Sequence, residues 1–281
     1  MSLRTSRDLI RQLQSGQRVL ADGAVGSELL KASIDPNRTV EANLSQPETV
    51  RSLHLRSLAA GAEVITANTF GLSYGDGWEA AFQAGVELAN AEACAAAFPV
   101  SVLVSACPEE LLRHPNVVLA PFDGAAQNWV LLLETAVAIR DIATAVSVAR
   151  HHGVETVAAT CHFLPNGAMP DGTMPKEAAL ALLEAGASLI GGNCGSDPED
   201  WVSVAEKMRT ATDLPLLFQP GAGLPKRVHD LWVYPVDADR FAANAARLFD
   251  VGVSIVGGCC GTTPAHIAAV RGLLFHPQRR E

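Results

Sequence analysis

The chain has 281 residues, 48% hydrophobic and 18% charged, a balance that builds a large buried core and excludes a disordered protein. Twenty-one basic against 30 acidic residues leave a net charge of −9, so no polyanion-binding surface is implied and no nucleic-acid partner is expected. The counts that carry information are 23 glycines and six cysteines.

The opening segment, MSLRTSRDLIRQLQ, carries charges where a signal peptide needs an apolar core, and the uncharged stretch Ala93 to Pro108 is broken by Pro99. No leader and no membrane span are expected, and the chain reads as cytoplasmic. In that reducing compartment six cysteines are not expected to form three disulfides; they are small buried hydrophobes, or ligands and nucleophiles. No low-complexity linker divides the sequence, so residues 1–281 are expected to form one domain.

In chain order, strands are predicted at Arg18 to Ala21, within AAGAEVITANTF from Ala59, at Val100 to Ser105, at Trp129 to Leu133, within HHGVETVAATC from His151 and EAGASLIGGNC from Glu184, at Leu214 to Phe218, and within DVGVSIVGGCC from Asp250. The four named segments share one plan: an amphipathic helical pattern, a glycine suited to the left-handed position after a helix, then an apolar run ending in small or polar residues. Counting seven residues on from Gly61, Gly153, Gly186 and Gly252 gives Asn68, Thr160, Asn193 and Cys259. Seven residues at a rise of ~3.3 Å make a strand of roughly 23 Å, which would place these four residues at one level at the strands' C-terminal ends. Repeated βα units that deliver polar residues to one rim predict an α/β fold of the (β/α)8 TIM-barrel type. A doubly wound open sheet competes, but DGAVGSELL (Asp22 to Leu30) lacks the G-x-G-x-x-G spacing that such a fold asks for after its first strand.

Cys194 closes one predicted strand, and Cys259 and Cys260 close another. Adjacent strand residues point to opposite faces, so the Cys259–Cys260 pair needs a turn to face one way. Gly257, Gly258 and Gly261 permit it. Three converging thiolates favour a soft tetrahedral ion, and zinc (Zn2+) is the natural occupant. Three protein ligands leave one position for a substrate, and a thiol bound there loses its proton yet stays nucleophilic. Attack by a metal-bound substrate thiolate on an electrophilic carbon is therefore the expected chemistry. Cys94, Cys107 and Cys161 read as small apolar residues.

Six segments then resemble the homocysteine S-methyltransferase family: DGAVGSELL at 22–30, NLSQPETVRSLHLRSLAAGAEVITANTFG at 43–71, ET at 134–135, GGNCG at 191–195, PGAGLP at 220–225 and GGCCGTTPAHI at 257–267. The resemblance implies that Cys194, Cys259 and Cys260 bind zinc, that Asp22 and Glu134 receive the homocysteine amino group, and that backbone near Gly23 helps hold its carboxylate. Beside it, Glu134 interrupts the apolar run WVLLLETAVAI, where a carboxylate is costly unless paired. As alternatives, Glu134 is a dipole-favoured acid at a helix start and Asp22 an Asx turn or cap. Asn68 and Asn193 stand beside the site as substrate contacts or loop ties. His266 falls on the first turn of the last helix and His162 in a Pro/Gly-rich loop, and neither is expected to ligate zinc.

The sequence departs from the family after its third strand, where VSAC and the short run to Asn128 leave little room for a full helix and predict a truncated βα unit over 107–128. Gly221 stands where the family often has Asn, and no Trp follows the first motif as in betaine-using relatives. The methyl donor is therefore left open between a small onium compound, betaine or S-methylmethionine, and methylcobalamin on a separate carrier protein. The leading expectation is zinc-dependent methyl transfer to homocysteine, giving methionine. A non-catalytic zinc and homocysteine-binding barrel that has lost its donor site is the alternative, and redox use of the Cys259–Cys260 pair a third.

Overall fold

The computed structural model describes residues 4–71, 77–124, 128–195, 199–229 and 231–275. Its strands in chain order are β1 (Val19–Leu20), β2 (Val64–Thr66), β3 (Ser101–Ala106), β4 (Trp129–Ala136), β5 (Val157–Cys161), β6 (Leu189–Cys194), β7 (Leu216–Pro220), β8 (Lys226–Val228), β9 (Leu231–Val233) and β10 (Ile255–Val256). Eight of these form one parallel sheet in the order β1-β10-β7-β6-β5-β4-β3-β2. A parallel bridge between Ala21 and Val64 joins its two edges, reinforced where Glu63 N donates to Leu20 O at 2.8 Å and Asp22 N donates to Val64 O at 2.9 Å. With helices between successive strands, this closes the expected (β/α)8 barrel.

The four glycines work as predicted. Helices Pro47–Ala59, Ile139–His151, Pro175–Glu184 and Ala238–Asp250 are each followed, after one capping residue, by Gly61, Gly153, Gly186 or Gly252 at φ between 90° and 99°. In each turn the next residue's N–H reaches back to a carbonyl of the last helical turn, as Ala62 N to Ser57 O at 3.1 Å and Ala187 N to Leu182 O at 3.0 Å do. That is the paired bonding that ends a helix through a left-handed glycine. The expected strand length of seven residues needs correction: β2 has three residues and β10 two, because the residues just after each glycine are spent closing the turn.

Inside the barrel, the lower level is filled by Val19, Val64, Leu103, Val130, Leu132, Leu189, Leu217 and Ile255. Helix Ser6–Gln14 closes this end with Leu9 and Leu13, which join the same cluster. Each such side chain contributes about 1.5–3 kcal/mol by leaving water, so the lower half is a packed plug beneath the C-terminal rim. The connection after β3 is shortened as expected: helices Pro108–Arg113 and Pro115–Val118 and a 3-10 turn at Ala120–Phe122 replace one long helix, while residues 125–127 of that segment lie outside the described residues. The antiparallel hairpin β8–β9 was not anticipated; it folds over the rim after β7. Among the described residues no helix is long and apolar enough to cross a membrane.

Candidate active site

Above the apolar plug, six strands turn polar side chains toward the barrel axis. Asp22 follows β1, Thr66 ends β2, Ser105 lies in β3, Glu134 in β4, Thr160 in β5 and Asn193 in β6. They are hydrogen-bonded in two groups. The Asp22 carboxylate is buried and accepts from Thr66 N at 2.7 Å and Thr66 Oγ1 at 2.9 Å. Glu134 accepts from Ser105 Oγ and, at 2.9 Å, from Asn193 Nδ2. The register of β4 against β5 shifts between Leu133 and Ala136, and Thr135 has φ 59°, so Glu134 projects from a bulge, a device that re-aims side chains at functional rims.

Asn193 uses its whole carboxamide for this purpose. Its Oδ1 accepts from Thr135 N and Thr160 Oγ1, each at 2.9 Å, while Nδ2 donates to Glu134 at 2.9 Å and to Thr135 Oγ1 at 2.7 Å. Asn68 is engaged elsewhere: its Nδ2 donates to Thr39 O at 2.7 Å and Asn43 Oδ1 at 2.9 Å, tying the end of β2 to the segment before it, although the residue also lines the cavity.

Burial dominates the electrostatics of both carboxylates and pushes Asp22 and Glu134 up to about 7. Their hydrogen bonds oppose the rise without cancelling it, and repulsion from Glu134 adds to it at Asp22. Two carboxylates with no cationic side chain paired to them among the described residues are poised to receive a cation.

Beside them the three rim cysteines converge. Cys260 Sγ lies 3.9 Å from Cys194 Sγ and 3.9 Å from Cys259 Sγ, and all three sulfurs fall within 4.8 Å of one another. A tetrahedral ion with sulfurs at ~2.3 Å spaces them about 3.8 Å apart, which two of the separations match, with the third no longer than 4.8 Å. Cys194 and Gly195 have φ of 67° and 77°, which bends the end of β6 toward the Cys259–Cys260 turn. Without an ion the thiols cannot share one negative region: hydrogen bonds from Cys259 and Cys260 pull Cys194 down, and Cys194 in turn holds the other two up. Among the described residues no His, Asp or Glu joins this group. His266 is held by Thr263 Oγ1 at 2.9 Å and Val236 O at 3.1 Å, and the His162 Nδ1 is buried without a hydrogen-bond partner among the described residues.

Glu134 and the three sulfurs open on one cavity of about 530 Å³ that also touches Gly23, Leu30, Thr66, Phe70, Gln219 and Tyr234, while Asp22 is buried against the lining Thr66. Tyr234, Gln219, Thr66 and Ser105 were not singled out from the sequence. Thr66 and Ser105 carry the same signal as the other rim residues, a polar group at the end of an apolar run. Tyr234 needed the hairpin, which brings its ring against Gly261, where a Cβ would approach to 2.1 Å.

The model of one protein family, homocysteine S-methyltransferase, matches residues 19–274. The S-methylmethionine–homocysteine S-methyltransferase BHMT2 of Pongo abelii is 30% identical, aligned over 94% of this chain and 80% of that protein. The methionine synthase of Mycobacterium tuberculosis is 28% identical over 94% of this chain but only 25% of its own length. The metallated form of the Escherichia coli homocysteine methyltransferase MmuM superposes with a TM-score of 0.72 at 22% identity, covering 94% of this chain and 99% of that one, a likeness of fold. Matched along nearly its whole length, the chain belongs to the homocysteine S-methyltransferase family.

Proposed function

We propose that this enzyme transfers a methyl group to the thiol of homocysteine, giving methionine, with zinc held by Cys194, Cys259 and Cys260. The observation that carries the reading is the convergence of three sulfurs within 4.8 Å of one another on a cavity lined by Glu134, with Asp22 bonded to the lining Thr66. Zinc bound there supplies an open position that keeps a substrate sulfur deprotonated and nucleophilic.

The protein's own part is binding and orientation. Asp22 and Glu134 receive the ammonium group, and backbone near Gly23 receives the carboxylate, which fixes the amino acid at one end while its sulfur points to the cysteines. Thr66 holds Asp22, and Ser105 with Asn193 holds Glu134, so neither carboxylate needs to reorganise when the substrate arrives. The thiol proton leaves to solvent on binding. The sulfur then forms a bond to the methyl carbon as that carbon's bond to the donor breaks, and the donor keeps the electron pair. No general base acts at the carbon, so alignment supplies most of the acceleration.

A small onium donor, betaine or S-methylmethionine, suits a cavity whose outer walls are Val25, Leu30, Pro36 and Phe70; a separate methylcobalamin carrier is the other source. A panel of these donors, supplied with homocysteine to zinc-loaded protein and read out as methionine, tests the reading. Methionine from one donor is expected. Homocysteine binding that releases no proton, measured calorimetrically in buffers of different ionisation enthalpy, would overturn the mechanism.

A further inference from the structure

One polar group at the rim takes no part in the two hydrogen-bonded sets. Gln219 lies in β7, in register with Asn193 of β6, and it lines the cavity with Glu134 and the three cysteines. The residue is 5% exposed, and its Oε1 is buried with no hydrogen-bond partner among the described residues. Leaving a buried carbonyl oxygen unpaired costs on the order of 1–3 kcal/mol, a cost that a bound donor would remove.

The Gln219 side chain packs near the backbone that follows β1. A Cβ on Gly257 would stand 2.8 Å from the Asp22 backbone carbonyl and 3.3 Å from Gln219 Cγ, so the absent side chain at 257 leaves room for the Gln219 side chain beside that backbone. On the other side, Asn193 at the same register level holds Glu134. Gln219 thus lies on the arc of the barrel that runs from Asp22 after β1 through β10, β7, β6 and β5 to Glu134 on β4. The ionisable groups lining the cavity among the described residues are Glu134, the three thiols and Tyr234, with Asp22 buried against the lining Thr66, and none of them is basic. An ammonium group has three N–H donors, and two carboxylates leave one of them to be satisfied.

We propose that Gln219 is a substrate-binding residue, its Oε1 accepting the third N–H of the homocysteine ammonium beside Asp22 and Glu134. The inference rests on the reading of the site as a homocysteine site and adds a specificity element to it: the cavity selects a primary ammonium rather than a positive charge alone. A secondary or quaternary amine lacks the third donor and leaves Gln219 unpaired.

Calorimetric binding to zinc-loaded protein separates the possibilities, using homocysteine, 4-mercaptobutanoate, which lacks the amine, and 3-aminopropane-1-thiol, which lacks the carboxylate. Gln219→Leu is expected to weaken homocysteine and 3-aminopropane-1-thiol by roughly 10- to 100-fold, the worth of a hydrogen bond to a charged group. Binding of 4-mercaptobutanoate should not change, which also certifies that the variant is folded. Gln219→Glu, which keeps an acceptor oxygen, should recover most of the loss. Equal affinity for homocysteine in wild type and Gln219→Leu would overturn the inference alone. So would a loss shared by 4-mercaptobutanoate and absent for 3-aminopropane-1-thiol, because the amide would then serve the carboxylate. A wild-type protein that binds none of the three thiols would overturn the underlying reading, and the inference with it.

Discussion

Asn193 and Glu134 stand 59 residues apart in sequence and are joined by a 2.9 Å hydrogen bond that uses one of four contacts from a single carboxamide. The other three go to Thr135 and Thr160, so Asn193 fixes both the bulge from which Glu134 projects and the direction in which it points. Because Asn193 immediately precedes Cys194, one end of β6 both holds Glu134 and presents a sulfur.

Replacing Asn193 should therefore loosen substrate binding without removing any group that touches the substrate. Asn193→Ala leaves Thr135 N and the Thr160 hydroxyl without partners and should cost about 1–3 kcal/mol of stability. Homocysteine affinity is expected to fall roughly tenfold as Glu134 gains freedom, with zinc stoichiometry unchanged. Asn193→Asp sets a second charge against Glu134 and should be worse on both counts. Thermal melts, metal analysis and binding titrations check the three parts separately.

The pH dependence follows from Asp22 and Glu134, both pushed up to about 7 by burial. A bound ammonium favours their ionised forms, so their values fall on binding. The carboxylates should therefore steepen the rise of homocysteine affinity between roughly pH 6 and 8, leaving above that range only the shallower rise that comes from release of the thiol proton. Stability runs the other way. In the unfolded chain these groups ionise near their ordinary values of 3.8 and 4.5, so between about 4 and 7 the native state holds more protons and stability declines as pH rises. Glu134→Gln should remove part of that decline and most of the binding. A denaturation series across this range that shows no slope change in the variant would contradict the assignment.

Much of this was legible in the sequence because it depended on local rules. A glycine after an amphipathic helix has one conformational use, and four such glycines located four strands. GGNC and GGCC located the sulfurs, since Cys194, Cys259 and Cys260 sit at strand ends whatever the details of packing. What was not legible depended on contacts across the barrel. Thr66 holds Asp22 from the neighbouring strand, 44 residues away, and Ser105 reaches Glu134 over 29. Gln219 reads in sequence as an ordinary residue at the end of an apolar run, and only the folded barrel gives it a buried, unpaired Oε1 on the cavity wall among the described residues. The β8–β9 hairpin was missed because KRVHDLWV carries no glycine at its turn, where His229 takes φ 46° instead.

Metal removal should convert the three cysteines from ligands to reactive thiols. Zinc-loaded protein is expected to hold one ion per chain, and Cys194→Ser, Cys259→Ser or Cys260→Ser should each abolish stoichiometric retention after dialysis against a chelator. An ion present at about 1,000 times its dissociation constant adds ~4 kcal/mol to stability, so the metal-free protein should melt at a lower temperature. Thiol titration of native protein should count three more reactive groups after metal removal than before. An unchanged count would mean that zinc sits elsewhere.

The last prediction concerns the backbone that presents Cys194. Its φ of 67° is a left-handed conformation that costs an L-residue roughly 1–2 kcal/mol, and side chains with a Cβ rarely adopt it unless their surroundings demand it. Cys194 cannot be exchanged for glycine without losing a sulfur, so the strain persists as a condition of placing that sulfur opposite Cys259 and Cys260. In metal-free protein, where the sulfur contributes no ligation, the strain can be measured. Cys194→Gly should be more stable than Cys194→Ala by about 1 kcal/mol in denaturant melts, because glycine accepts this φ and alanine does not. The opposite order would show that β6 relaxes to an ordinary conformation once the side chain is shortened, and that the geometry seen at Cys194 is imposed by its sulfur rather than by the strand.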